Sequence, residues 1–196
     1  VLALACGLIF LLPNPPIKSK INTLRKEHKM NIFYVDSDPV IAAQMLCDRH
    51  VVKMILESAQ MLSTAHRVLD GDECADSNGL YKATHKNHPS NVWARSTREN
   101  YDWLRQHMSA LMSQYNKRYN NVHATERLER PLWARPRNIV LGRFSPPPQC
   151  MPDQYKCNPN SASRDDCVSA YQKYYLGAKM HMATWKFTEA PSWTHA

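Results

Sequence analysis

The chain has 196 residues, 43% of them hydrophobic, with 5 Gly and 13 Pro. That suits a folded domain with its own core and proline-punctuated loops, and it excludes a disordered, collagen-like or repeat protein. The net charge of +8 permits DNA binding without demanding it: Lys18, Lys20, Arg25, Lys26 and Lys29 stand against Glu27 alone in the first 29 residues, which leaves 20 basic and 16 acidic side chains for the rest.

The start, V-L-A-L-A-C-G-L-I-F-L-L followed by P-N-P-P, is too short to span a bilayer and lacks the basic leader and cleavage site of a secretory signal. Residues 1–29 are expected to be an N-terminal extension outside the fold, with no stable membrane association. Upstream translation ahead of an initiator at Met30 is preferred over a membrane-surface anchor whose basic stretch meets anionic lipid. Residues 30–196 then form a single helical domain.

After Met30, the run N-I-F-Y-V favours a short strand. Asp38 before Pro39 is a ready helix start, because the carboxylate receives orphan amides and proline tolerates the first helical position. Ala42 to Arg67 reads as one long helix stopped by Gly71. At about 100° per residue, Val51, Val52, Ile55, Leu56, Ala59, Leu62 and Ala65 form a broad apolar face. His50, Lys53, Glu57, Gln60, Thr64 and Arg67 collect in a narrow polar stripe, either a solvent window or the wall of a cleft.

Residues 72–91 read as a polar connection containing H-K-N-H-P, whose His85, Lys86 and His88 suit a phosphate or a base edge, or else are ordinary turn residues. Ser90 is expected to cap a second long helix, Asn91 to Tyr119, with Val92, Trp93, Tyr101, Trp103 and Leu104 in the core and Arg95 and Arg98 largely on the other side. Residues 121–162 are Pro-rich. Within them R-P-L-W-A-R-P-R sets Arg130, Arg135 and Arg137 around Trp133, either a stacking and phosphate-contact device or a Trp that anchors the loop to the core. A last helix opens at Ser163 with Asp166 as its capping-box partner. The six cysteines, at positions 6, 47, 74, 150, 157 and 167, are spaced too irregularly for a structural zinc motif; a metal held by Cys150, Cys157 and Cys167 is the minor alternative to reduced thiols, and no cofactor is called for. The expected fold is mainly α: a compact single-domain helical bundle with a long Pro-rich loop and at most one short strand.

The segment C-D-R-H-V-V-K-M-I-L-E, with H-K-N-H-P ahead of the second helix and a late Y-Q-K-Y-Y, resembles the pyrimidine-dimer DNA glycosylases of the bacteriophage T4 type and their bacterial relatives. It is also similar to small proteins carried by tailed phages of marine bacteria. The resemblance implies an all-α fold, DNA as partner, and a phage-encoded protein working in the cytoplasm of a bacterial host. His50 and Glu57 match the family's His-x₆-Glu pair. In that family an amine at the chain start attacks the sugar carbon bearing the damaged base, while the Glu stabilises the cationic sugar and moves protons during strand scission. The chain departs from the pattern where Asn31, not Thr, follows Met30, and where Leu56 and Gln60 replace basic residues that flank the family Glu.

Lys53, four residues before Glu57, is a candidate nucleophile if the cleft desolvates it, and otherwise half of a surface ion pair. The implied function is a DNA glycosylase-like enzyme, with AP lyase activity as an option, acting on a damaged or modified pyrimidine. Glu57, His50 and Lys53 carry the chemistry, and Gln60, His85, Lys86, His88, Arg95, Arg98, Arg130, Trp133, Arg135 and Arg137 hold DNA. The alternatives are a phage enzyme that modifies a base or nucleotide without cutting the strand, and a non-catalytic DNA-binding protein.

Overall fold

A computed structural model describes residues 30–158 and 163–195; the extension expected over residues 1–29 lies outside them. The helices are α1 (Pro39–Met45), α2 (Asp48–Asp70), α3 (Asp72–Ser77), α4 (Pro89–Ala94), α5 (Arg98–Tyr119) and α6 (Arg164–Ala178), with short 3₁₀ turns along the intervening and final loops. The fold is mainly α, as expected, and has no strand among the described residues. The run N-I-F-Y-V is buried throughout but pairs with no other segment. Its backbone donors Asn31 N, to Glu57, and Ile32 N and Phe33 N, to the side-chain oxygen of Asn31, go to side chains instead of to a ladder.

The long helix expected from Ala42 to Arg67 is two helices. α1 stops at Met45, and Leu46 and Cys47 are extended. The break is held by distant partners that satisfy the freed backbone groups, so no helical turn is needed there. Arg118 of α5 donates to the carbonyls of Gln44 and Leu46, the Cys47 amide donates to the Tyr175 hydroxyl, and the Asp48 amide donates to the Thr184 carbonyl. Cys47 therefore lies in the break and not inside a helix.

The second long helix is also divided. His88, not Ser90, caps α4 by accepting from the Ser90 amide, and Thr97 caps α5. Ser90 sits within α4, and Val92 is 44% exposed instead of in the core. The other local signals hold as written: Asp38 accepts from Val40 and Ile41 ahead of Pro39, Gly71 ends α2 at φ 92°, and Ser163 forms a capping box with Asp166.

α2 and α5 are the central pair, with α1 lying against α5 and α3 and α4 against α2. Trp103 belongs to the core as expected, and its indole N–H donates to the Ser37 carbonyl. The faces of α2 differ from the wheel: Leu56 is 39% exposed, whereas His50, Glu57, Thr64 and Arg67 are buried. Much of the polar stripe is covered by backbone, Lys53 staying exposed, and the buried side chains supply that backbone with partners. Asn31 N donates to Glu57, Thr84 N donates to Thr64, and Arg67 donates to the Leu80 and Tyr81 carbonyls while pairing with Asp72 and Asp76.

Candidate active site

The first described residues form one wall of the site. Asn31 is fixed three ways: its side-chain oxygen receives Ile32 N and Phe33 N, its side-chain amide donates to the Cys150 carbonyl, and its own N–H donates to Glu57 Oε2 at 3.3 Å. This tight turn carries Phe33 into the left-handed region at φ 54°, an uncommon conformation for a bulky residue that persists only when surrounding contacts impose it. Phe33 lies flat on His50, with ring centroids 4.1 Å apart, and parallel to Tyr174 at 6.2 Å.

Glu57 is at the centre. Its side chain is 10% exposed; Oε1 meets Lys53 Nζ at 3.0 Å, and Lys53 itself is 49% exposed. Burial pushes the Glu57 carboxyl above its ordinary value, opposed by Lys53, by the Asn31 N–H and by the charge of His85. A carboxylate held between an N–H and an ammonium is poised both to take a proton and to offset positive charge growing beside it. His50, on the same side of α2 about two turns earlier, bonds through Nδ1 to the Tyr175 hydroxyl at 2.8 Å. Burial and the charges of Lys179 and Lys53 hold its pKa down at about 3.

The expected site residues divide into groups. His50, Lys53, Glu57 and His85 come together. His85 is exposed in a left-handed conformation, and its carbonyl and that of Thr84 are clamped by the buried Asn91 amide, which also reaches Met30 Sδ. Lys86 is exposed beside it, and His88 serves as the cap of α4. Gln60 is half-buried one turn beyond Glu57. Arg95 and Arg98 flank the α4–α5 junction, and Arg95 Nη1 is buried without a hydrogen-bond partner among the described residues.

The Arg-rich loop lies elsewhere. Ala134 O accepts from His66, about two and a half turns past Glu57 and so on the opposite face of α2. Leu132, fully buried, anchors this loop; Trp133 is 63% exposed and stacks under the Arg105 guanidinium at 4.0 Å. Arg135 is spent on a two-pronged pair with Asp102, the Arg137 amide binds Asp70, and Arg130 borders a cavity of about 460 Å³ beside Trp133. Cys157 and Cys167 bring their sulfurs to 4.0 Å, whereas Cys150 faces Ser90.

Residues 30–127 match the family model described as pyrimidine dimer DNA glycosylase, which spans half of the chain. The chain belongs to the pyrimidine dimer DNA glycosylase family. Comparison with curated proteins and with solved structures returned no match. The family assignment makes DNA the partner of this glycosylase-like protein, and no helix among the described residues is long and apolar enough to cross a membrane.

The family-matched segment supplies His50, Lys53, Glu57 and His85. Tyr174, Tyr175 and Lys179 come from beyond it, on and just after α6. Those three, with Asn31 and Phe33, are the positions that residue-type reasoning passes over. The Y-Q-K-Y-Y run was a signal for the tyrosines, but Asn31 contributes a backbone nitrogen, and no side-chain pattern announces that.

Proposed function

We propose that this member of the family is a DNA glycosylase that removes a damaged or modified pyrimidine, with Glu57 as its central carboxylate. The observation that carries the reading is the pair of nitrogens on Glu57: Lys53 Nζ at 3.0 Å on one oxygen and Asn31 N at 3.3 Å on the other. In this reading an unprotonated amine adds to the sugar carbon that bears the base. The C–N bond to the base breaks and the base leaves with one proton of the amine; the bond from the same carbon to the sugar ring oxygen then opens, that oxygen takes the second proton, and an imine joins protein to sugar while the carboxylate offsets the positive charge.

Two nitrogens compete for the attacking role. The Lys53 ammonium must first give up a proton, for which the Glu57 carboxylate is the adjacent acceptor. The nitrogen of residue 31 is an unreactive amide within a longer chain and an amine in a chain that begins at Asn31. Both nitrogens touch the same carboxylate, but residue 31 is buried and held by several hydrogen bonds whereas the lysine is half-exposed, and the better-fixed nitrogen is favoured.

Borohydride trapping on oligonucleotides that carry a pyrimidine dimer or an abasic site tests the mechanism. The expected result is a covalent adduct formed by protein beginning at Asn31, retained in Lys53→Ala and lost in Glu57→Gln. An adduct that disappears in Lys53→Ala would move the role to Lys53. Base release with the strand whole and no adduct in any form would exclude the imine route.

A further inference from the structure

The hydrogen-bond pattern around Tyr175 fixes the state of His50. The Tyr175 hydroxyl takes part in two bonds of 2.8 Å, one with the Cys47 amide and one with His50 Nδ1. A backbone N–H only donates, so the phenol oxygen is its acceptor. Within reach of the single phenol hydrogen are the lone pair of Nδ1 and the weakly accepting Cys47 sulfur; Nδ1, at 2.8 Å, is the stronger acceptor, and the imidazole proton then sits on Nε2. Tyr175 is fully buried, and burial raises its hydroxyl well above the ordinary phenol range, so that hydrogen stays in place.

The ring has no freedom to swap its two nitrogens. Phe33 covers one face at 4.1 Å, Tyr175 meets it edge-on at 5.2 Å, and Nδ1 is tied. Nε2 has no hydrogen-bond partner among the described residues. The charged groups that face the imidazole are Lys179 after α6 and Lys53 on α2, both cationic, and both oppose a second proton on the ring. The titratable neighbours on the Nδ1 side are Tyr175 itself and Cys47, with Arg118 acting on Tyr175.

We infer that Tyr175 is a positioning residue that locks His50 as a neutral Nε2–H donor, aimed at an acceptor oxygen of the DNA substrate. This rests on the glycosylase reading for the identity of the acceptor, and on geometry alone for the tautomer. α6 lies beyond the family-matched segment, so the C-terminal part of the chain sets the chemistry of a residue on α2. The stated role is hydrogen-bond donation without proton transfer, which suits a ring whose second proton is opposed by burial and by two ammonium groups.

Nitrogen-15 NMR of the histidine side chains in the full chain tests the tautomer directly, with the His50 signals assigned by their loss in His50→Gln. The wild type is expected to show an unprotonated Nδ1 and a protonated Nε2, unchanged between pH 8 and pH 5. Tyr175→Phe is expected to give a tautomer mixture or a ring that titrates closer to the ordinary histidine value of about 6.5. An Nδ1–H tautomer in the wild type, or a His50 that titrates normally there, overturns the inference whether or not Tyr175→Phe folds.

In turnover on DNA, Tyr175→Phe is expected to lose activity on the order of tenfold to a hundredfold. His50→Gln, whose amide nitrogen reaches near the Nε2 position, is expected to keep more activity than His50→Asn, and equal losses in the two would count against donation from Nε2. A wild-type protein with the expected tautomer but no activity on any damaged pyrimidine would leave the lock standing and defeat the proposed function instead.

Discussion

The backbone nitrogen of Asn31 donates to Oε2 of Glu57 across 3.3 Å, joining positions 26 residues apart. This contact ties the start of the described chain to the middle of α2 and covers the polar stripe of that helix at Glu57. It also exposes a conflict between stability and function at Glu57, since the carboxyl is held above its ordinary value of 4.5 by burial.

Glu57→Gln is therefore expected to do two things. Turnover on DNA should fall on the order of a hundredfold or more, with DNA affinity largely kept, because the charge that offsets the cationic sugar is gone. Stability should change in the opposite sense. A carboxyl whose folded pKa is raised contributes stability below its unfolded pKa and loses it as pH rises through the folded value. Urea unfolding should thus show the variant gaining on the wild type between pH 4 and pH 7.

His107 gives a second pH prediction, away from the site. It is fully buried against Trp103, Nδ1 bonds the Pro39 carbonyl, and Nε2 has no partner among the described residues. Burial holds its pKa at about 4, below the ordinary 6.5. A histidine with a depressed folded pKa contributes stability above its unfolded pKa and loses it as pH falls through the folded value. The urea midpoint of the wild type should fall between about pH 6.5 and pH 4, and more shallowly in His107→Gln.

The Asp48–Arg118 pair closes the break between α1 and α2. Both side chains are buried, with Nη1 and Oδ1 3.2 Å apart; Arg118 also serves two carbonyls, and Asp48 accepts from Thr184 and Lys186. Removing one member strands a buried charge, so Arg118→Ala should cost about 3–5 kcal/mol in urea unfolding. A loss below about 1 kcal/mol, the scale of an exposed pair, would show that the break does not depend on it.

Neighbouring residues in the Arg-rich loop should separate cleanly. Leu132 is fully buried and Trp133 is 63% exposed. Leu132→Ala should destabilise the fold by about 2–5 kcal/mol through the lost burial and the cavity left behind. Trp133→Ala should stay within roughly 0.5 kcal/mol in the same measurement, because its ring lies outside the core.

Local chemistry was legible in the sequence wherever a short stretch carries its own partner. Asp38 with Pro39, Gly71, and Ser163 with Asp166 each satisfy backbone groups within a few residues, and each does so in the structure. The helical period likewise located α2, α5 and α6, and the His50, Lys53 and Glu57 spacing placed three side chains on one side of α2. The break at Leu46–Cys47 was not legible, because it is held by Arg118, Tyr175 and Thr184. The break at Arg95–Thr97 has a local cap in Thr97 that the expected single helix passed over, and distant bonds from Thr97 to Arg143 O and from Arg98 N to Val140 O hold the chain there.

The sequence by itself determined a helical protein whose first long helix carries a carboxylate, an ammonium and an imidazole in register, since these follow from periodicity and residue type. Only the tertiary structure decided that Glu57, Thr64 and Arg67 of the stripe are covered by backbone instead of water, that the nitrogen of Asn31 shares Glu57 with Lys53, and that Tyr175 sets the proton on His50. The hydrogen bonds that roof the stripe, that of Asn31 N with Glu57 and that of Tyr175 with His50 join groups between 13 and 125 residues apart, and a hydrogen bond at that separation depends on how the helices pack, which no local pattern encodes.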